Sequence, residues 1–313
     1  MQLTYRNSYV QQINFNMEHS FGGTVMMIGY VGSLGRHLRI TPDVNLAPPS
    51  SVSFVKRRPF YSLYPNVTSI FNIQSEGYNN YNGLQTSVQR RLSHGFMASA
   101  NYTWSHAIGD TQGFSAGGIY TSAVPSQTAI LERGNSELDL RQRFTLMLNY
   151  QLPFGNNLQG RKGVLARGWQ FNTIVVWETG FPFSVVNASP KSNTGVGSDR
   201  PNQLGNANLD NPSLSRWFDT SRFQAQPLGT IGSERRNGLY GPRFRHFDVS
   251  VFKDFHVTER TVLQARFESF NLTNTPNFSL PAASLNAGGF GIISSTRTGS
   301  TPRQLQFAMR LTF

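Results

Sequence analysis

The last ten residues, 304-QLQFAMRLTF-313, decide the fold class because apolar and polar side chains alternate along them. A period of two places successive side chains on opposite faces of a β-strand. About ten residues is also the length of a tilted strand that crosses a membrane. We therefore predict a membrane-length strand with one apolar and one polar face. Its apolar positions are odd-numbered: Leu305, Phe307, Met309, Leu311 and Phe313.

The same alternation occurs in the preceding pair of segments, residues 246–251 and 263–268. Apolar residues occupy odd positions in both segments, and residues that face each other in an antiparallel pair must share one side of the sheet. Equal parity therefore requires a connecting loop with an odd number of residues. The three residues Thr258–Arg260 meet this requirement and predict a β-hairpin.

Two earlier hairpins follow from the same reasoning. Within residues 84–104 both apolar sets are even-numbered, which predicts a three-residue loop at Ser93–Gly95. Within residues 13–30 the two apolar sets differ in parity, so the loop must contain an even number of residues. Ser20–Gly23 fits that requirement.

A fourth pair of strands lies within residues 144–177, joined by Pro153–Gly168, and brings the predicted total to nine strands. Short connections alternate with long ones that are rich in Gly, Pro, Asn and Ser. Long loops of this kind are uncommon in compact soluble domains. Short periplasmic turns and long extracellular loops are typical of outer-membrane barrels. The long connections are residues 33–69, 106–140, 179–242 and 272–302.

These patterns predict an all-β fold, an incomplete antiparallel transmembrane β-barrel of about nine strands in which residues 1–313 are the C-terminal part. Bacterial single-chain barrels use even numbers of strands, so we expect earlier strands to be absent from the chain. A final strand that descends to the periplasm places every short turn on the periplasmic side. The basic cluster Lys56–Arg58 and the segment Thr179–Pro242 are then expected outside the cell.

The charge and composition exclude other classes. A net charge of +12 and a pI near 10.4 would suit a nucleic-acid binder. The basic residues are scattered in pairs among turn residues, so we interpret them as solvated loop charges that can face anionic lipid headgroups, and we expect no nucleic-acid partner. No apolar run approaches the roughly 18 residues of a transmembrane helix. The chain has no Cys, so it has neither disulfides nor thiolate metal sites.

Nine segments, in this order along the chain, carry a resemblance to a known family. They are YVQQ from Tyr9, GYVGS from Gly29, YNGLQTSVQRRLSHGFMASANYTWSHAI from Tyr81, LRQRFTLMLNYQLPFG from Leu140, GWQFNTIVVWETGFPF from Gly168, RWFDTSRF from Arg216, FDVSVFKDF from Phe247, FESFNLTNTPNF from Phe267 and PRQLQFAMRLTF from Pro302. Together they resemble the large TonB-dependent receptors of the Oar-like kind, which carry a carboxypeptidase-regulatory-like domain before the plug.

The resemblance implies a receptor in the cell outer membrane that binds and imports a scarce small ligand. It also implies contact with outer-membrane lipid and lipopolysaccharide, folding by the barrel-assembly machinery, and energy supplied by an inner-membrane TonB complex acting through a plug. The chain contains no plug or signal peptide, and we expect them to be encoded upstream of Met1. The alternative from another class is a soluble or surface-attached all-β binding module, such as a lectin-like sandwich.

Three sets of residues are candidates for functional roles. The end of the final strand resembles the assembly signal of outer-membrane barrels: Phe313, Leu311, Met309 and Phe307. Polar residues of the last strands are predicted to face the lumen: His246, Asp248, Gln264, Arg266, Glu268, Gln304, Gln306 and Arg310. Aromatic residues toward the strand ends are predicted to form interfacial girdles: Tyr30, Tyr102, Trp104, Tyr150, Trp169 and Trp177.

Catalytic and metal chemistry is not expected. Gly113–Gly117 fits the G-x-S-x-G pattern of a hydrolase nucleophile, but that motif requires a strand before it and a helix after it, and a Gly-rich loop surrounds it here. The six His residues show neither i, i+4 nor H-x-H spacing, so the sequence supports no metal site. We therefore expect no enzyme activity, no cofactor and no metal.

Overall fold

The computed structural model describes residues 5–111 and 132–313. Nine long strands form one antiparallel sheet in which each strand pairs with the next along the chain. This meander confirms the predicted all-β antiparallel architecture and its nine strands. The strands are β1 Tyr9–Phe21, β2 Thr24–Ile40, β3 Gln74–Ser93, β4 Phe96–Gly109, β5 Gln142–Gln151, β6 Trp169–Glu178, β7 Phe244–His256, β8 Val262–Phe270 and β9 Gln304–Thr312.

The sheet is open rather than closed into a barrel. Within the described ranges β1 and β9 each pair on one side only, so they form the two edges of the sheet. Every side chain of β1 is exposed, and in β9 all are exposed except Ala308. The outer sides of these edge strands therefore present backbone donors and acceptors to a further strand.

The register confirms most of the parity arguments. In the first hairpin Phe15 faces Tyr30, and the connection is the two-residue turn Gly22–Gly23, which is even as predicted but shorter than Ser20–Gly23. In the β7–β8 hairpin Val251 faces Phe267. There the Val257 N–H donates to the Thr261 carbonyl, so three residues lie between the last bonded pair, as predicted.

The predicted three-residue loop Ser93–Gly95 is wrong. Ser93 ends β3 and pairs with Phe96, which leaves a two-residue turn of His94 and Gly95, both with positive φ. A β-bulge compensates, because Arg91 and Leu92 lie opposite the single residue Met97. A turn of this type matches the right-handed twist of the strands, so the extra residue is absorbed in the strand instead of the loop.

Two strands extend beyond the segments expected to cross the membrane. The long connection predicted at 33–69 is observed at 41–73, because β2 continues to Ile40 and β3 begins at Gln74. The extra residues still pair, with register shifts between Gly35 and Leu38 and between Leu38 and Ile40. Backbone pairing continues there because it does not depend on apolar alternation, which was the only signal used to place the strand ends.

Helices in the described ranges are few and short. The connection between β5 and β6 contains α1, Gly160–Ala166, which the sequence pattern did not predict because seven residues are too few to show a helical period. Two 3₁₀ turns span Val55–Arg57 and Thr220–Arg222. Within the described part of the chain no helix is both long and apolar enough to cross a membrane.

The four long connections meet at one end of the sheet, and we call the described residues 41–73, 132–141, 179–243 and 271–303 the loop layer. The two-residue strand Gly134–Asn135 pairs with β4 and extends the main sheet. Three further short strand pairs lie within the loop layer: Asn202–Gln203 with Phe223–Gln224, Pro182–Phe183 with Leu239–Tyr240, and Val186–Asn187 with Ser284–Leu285. The short connections lie at the opposite end. The chain thus has the asymmetry that the loop lengths predicted.

Candidate functional site

The polar residues predicted to face the lumen share one face of the sheet. Glu268 lies opposite Ser250 and Gln306, and Gln264 lies opposite Asp254 and Arg310. Since side chains alternate along a strand, this register also places Arg266 and Gln304 on the same side. The lumen-facing role of this face remains a prediction.

Part of this polar face is bonded into a network. His246 Nε2 lies 2.8 Å from Asp248 Oδ1. Gln264 Nε2 donates to Asp254 Oδ1 at 2.8 Å, and Arg266 Nε donates to Gln264 Oε1 at 2.6 Å. Within the described ranges no hydrogen bond or ion pair reaches the side chains of Glu268, Gln304, Gln306 and Arg310. These four side chains are available to a partner on that face.

The predicted interfacial aromatics lie on the opposite, apolar face and at two levels. Tyr30, Tyr102, Trp104 and Trp177 lie toward the loop layer, and Tyr150 and Trp169 lie toward the short turns. Trp169 and Trp177 are eight residues apart on β6, or roughly 26 Å along a strand. A strand tilt of about 40° reduces this to about 20 Å of height, comparable to the ~25 Å apolar band of outer-membrane barrels.

The proposed assembly-signal residues are strongly exposed. Phe307 and Met309 are 77% and 79% exposed, Leu311 is 57% exposed, and Phe313 is 93% exposed. All four project from the edge strand or its end, on the side of the sheet that carries the other apolar rows. Their role in assembly stays a prediction.

The loop layer has an apolar core of its own. Phe218 is almost fully buried and contacts the rings of Phe183, Phe223 and Phe290 at centroid distances of 5.8, 5.6 and 5.2 Å. Hydrogen bonds join the separate loops, from Arg57 Nη2 to the Asn193 carbonyl at 2.9 Å and from Trp217 N to the Gly291 carbonyl at 2.8 Å. The loops therefore pack as one ordered unit.

A buried charge cluster lies within this unit. Arg200 Nη2 is 3.1 Å from Glu132 Oε1, and Arg200 Nε is 3.5 Å from Glu234 Oε2, with all three side chains at most 5% exposed. Burial raises the pKa of Glu234 to about 8, an effect that Arg200 opposes and Glu132 reinforces. Near neutral pH Glu234 is therefore mostly protonated, and Arg200 forms its ion pair with Glu132.

This cluster predicts a loss of stability as the pH rises from about 4.5 to about 8. The pKa of Glu234 in the folded state lies above its ordinary value of 4.5, so its contribution to stability is complete below pH 4.5 and is lost as the pH rises through about 8. We expect the melting temperature, followed by tryptophan fluorescence, to fall between about pH 4.5 and pH 8, and E234Q to lose this dependence because its amide does not ionise. E268Q, which removes a carboxylate outside the loop layer, serves as the control and should behave as wild type. Equal declines in wild type and E234Q would contradict the assignment.

A cavity of about 540 Å³ opens beside this cluster, lined by Ile108, Arg133, Gly134, Asn135, Arg235, Arg236 and Gly238. Arg236 is buried and donates from Nη2 to the Gly109 carbonyl at 2.9 Å, while its Nε has no partner in the described structure. Arg133 and Arg235 are exposed. The described lining contains three guanidinium groups and no carboxylate, so the cavity attracts anions.

The described residues hold no candidate metal centre. They contain no group of three or more His, Asp or Glu side chains that could hold a metal ion. The G-x-S-x-G segment Gly113–Gly117 lies outside the described ranges. At this end of the molecule the packed loops hold cationic side chains around a cavity.

A single antiparallel meander of amphipathic strands, with short turns at one end and packed loops at the other, is the arrangement typical of transmembrane β-barrel proteins. A family model described as "Outer membrane beta barrel domain" matches residues 1–306. The chain belongs to this family, and its location is the cell outer membrane. The predictions of fold class and location are thereby confirmed, and a soluble lectin-like module does not fit this family.

Solved structures with a similar fold include outer-membrane receptors and transporters. The ferripyoverdine receptor of Pseudomonas aeruginosa is 12% identical with a TM-score of 0.46, and the match covers 97% of this chain and 27% of that one. The transporter YddB of Escherichia coli is 8% identical with a TM-score of 0.47, covering 99% and 33%. The siderophore receptor PiuA of Acinetobacter baumannii is 10% identical with a TM-score of 0.48, covering 97% and 28%. The chain thus spans about a third or less of each of these chains.

No curated protein matches the chain. The arginine-lined cavity and the Arg200 cluster were not found by sequence reasoning. Glu132, Arg200 and Glu234 lie on three separate stretches of loop with no periodic pattern, and only the folded loop layer brings them together. A basic residue among turn residues looks the same in sequence whether it is solvated or buried.

Proposed function

We propose that the protein is the barrel part of a TonB-dependent receptor that binds a scarce, anionic small ligand at the loop layer and takes part in its import. The observation that carries this proposal is the cavity lined by Arg133, Arg235 and Arg236. A pocket of a few hundred Å³ suits a small ligand. Membership of an outer-membrane barrel family supports a role at the cell boundary.

The loop layer suits ligand capture because its loops pack on one another. The core around Phe218 and the bonds between loops hold the cavity walls in place. A preformed site avoids part of the entropy cost of ordering loops on binding. The unbonded polar residues of the lumen face, among them Glu268 and Arg310, are proposed to contact a plug, through which an inner-membrane TonB complex would supply energy.

The remaining partners belong to the same proposal. The exposed apolar rows of β1 and β9 are proposed to meet lipid or further strands, and lipopolysaccharide would face the basic groups of the loop layer. The barrel-assembly machinery would recognise the row that ends at Phe313. No enzymatic step is part of this function.

The test compares uptake between cells with and without the full-length protein. Ferric citrate and a ferric catecholate siderophore serve as anionic probes at nanomolar concentration, and a maltodextrin serves as a neutral probe. We expect faster uptake of an anionic probe only in cells that carry the protein, and abolition of the difference by a protonophore. The double variant R133A/R235A should lose at least about tenfold in apparent affinity, since even one charge-assisted contact of about 1.5 kcal/mol corresponds to that factor.

The matched control is R303A, which removes an exposed arginine from the loop layer away from the cavity. It should leave uptake unchanged. Uptake that is insensitive to the protonophore would count against coupling to the TonB complex. A preference for the neutral probe, or equal effects of R303A and R133A/R235A, would count against the arginine cavity as the ligand site.

A further inference from the structure

The connection between β5 and β6 carries a surface that the receptor function does not use. Its helix α1 is tied to the apolar side of the sheet, because Lys253 Nζ donates to the Val164 carbonyl at 2.7 Å and also to the Arg167 carbonyl. Trp169 Nε1 donates to the Leu165 carbonyl at 2.9 Å. Lys253 and Trp169 face each other across β6 and β7 in the row that continues to Met309, which belongs to the apolar face.

These bonds fix the position of the helix at the rim. The Lys253 ammonium, which also lies 4.6 Å from the centre of the Phe255 ring, meets the carbonyls at the C-terminal end of α1, where a cation is favoured. Gly155 lets the chain approach closely, since a Cβ there would lie 2.4 Å from the Ala166 Cβ. The helix therefore lies beside the lower level of aromatic residues, at the edge of the apolar band.

The outward side of this connection is apolar and basic. Phe154, Leu158, Val164 and Leu165 are 60%, 43%, 52% and 67% exposed. Residues 153–168 also contain Arg161, Lys162 and Arg167, all exposed, and no acidic residue. Exposed apolar side chains next to basic ones, at the level of a tryptophan girdle, are typical of segments that lie in a membrane interface.

We propose that α1 and its flanking residues form an interfacial anchor that inserts Val164 and Leu165 among lipids and binds anionic phospholipid headgroups through Arg161 and Lys162. The anchor depends on the proposed function only through its orientation, which decides the leaflet that the anchor occupies. Short turns in the periplasm place it in the periplasmic leaflet. The occupant is a lipid surface because the helix is fastened to the lipid-facing row by Lys253 and Trp169, and because its charge complements anionic headgroups.

The absence of native Cys allows single-cysteine labelling of the full-length protein in vesicles. An environment-sensitive fluorophore at L165C should be quenched by a lipid with a nitroxide near its headgroup, in vesicles of phosphatidylcholine with phosphatidylglycerol. We expect less quenching in phosphatidylcholine alone. The added changes R161Q/K162Q should reduce the difference between the two vesicles severalfold, since each basic residue near an anionic surface contributes on the order of 1 kcal/mol.

Two controls separate the anchor from membrane insertion itself. A label at V88C, on the apolar face of β3, should be quenched in both vesicles, and a label at N211C, in the loop layer, should be quenched in neither. An L165C label that stays in water while V88C is quenched would overturn the anchor and leave the surface to a protein partner. Equal quenching of L165C in both vesicles would overturn headgroup recognition. Loss of quenching at V88C as well would overturn the membrane function together with the anchor.

Discussion

Deleting Phe313 is expected to reduce the abundance of the protein in the outer membrane severely. Phe313 is 93% exposed, so its removal takes away little packing within the chain. Burial of one Phe against lipid contributes only about 1.5 to 3 kcal/mol, too little to decide whether a large barrel persists once it has formed. A severe effect must therefore arise during assembly, when the terminal strand is recognised as an unpaired edge. Quantifying the protein in isolated outer membranes measures the effect.

The control for this deletion is F267A. Phe267 lies on the same apolar face and contacts the Phe307 ring at a centroid distance of 5.1 Å, so its truncation removes real packing. We expect F267A to lower abundance mildly. Equal losses for the two changes would leave Phe313 with a packing role alone, and a harmless deletion would contradict its assignment as the assembly signal.

The second large effect concerns the sidedness of the loop layer. A cysteine at Asn211, exposed in the segment 179–242, is expected to react fully with a membrane-impermeant maleimide in intact cells. A cysteine at Glu259, exposed in the turn between β7 and β8, is expected to react only after the outer membrane is permeabilised. The contrast should be nearly complete, because the apolar band separates the two ends of the strands.

Trypsin gives an independent measurement, and the structure narrows where it cuts. Within the basic cluster Lys56 is exposed, whereas Arg58 is buried and donates to the Val55 and Pro65 carbonyls. Cleavage in intact cells is therefore expected after Lys56 and not after Arg58, which also precedes Pro59. Labelling of Glu259 but not of Asn211 in intact cells would show that the orientation is inverted.

Much of the sheet could be predicted from the sequence because a strand with one face in lipid has apolar and polar residues at alternate positions. Parity and the loop Thr258–Arg260 gave the observed pairing of Val251 with Phe267, whereas in the first hairpin parity gave only an even loop, and the shorter turn Gly22–Gly23 pairs Phe15 with Tyr30. Parity failed at the β3–β4 turn, since a bulge and a turn can exchange one residue without changing the pattern on either strand. The three-residue loop and the two-residue turn with a bulge differ in the backbone conformation of the turn. The observed turn requires positive φ at both His94 and Gly95.

The loop layer could not be predicted for a different physical reason. Its core residues are isolated aromatic residues in segments of Gly, Pro, Asn and Ser, and they meet only through contacts between segments far apart in sequence. Phe218 packs against Phe290, and Arg200 reaches Glu132 across 68 positions. No local period records such contacts. The fold of the strands is encoded in a local pattern, whereas the arginine-lined cavity is a product of tertiary packing.

The shared packing of the loops also limits how this protein can be redesigned. Asn193 donates to the Ser50 and Val52 carbonyls of another loop. The Asn135 and Asn237 side chains each donate to the other residue's backbone carbonyl. These long loops therefore depend on one another for hydrogen bonds. A single loop grafted from a homologue would leave hydrogen-bond donors of the remaining loops without acceptors, and it would leave a gap in the packing against the neighbouring loop. Exchange of the loops as a complete set preserves these contacts. Recombination with crossovers placed in the strands, so that all the loops are exchanged together, can therefore alter the loop layer without loss of its internal contacts.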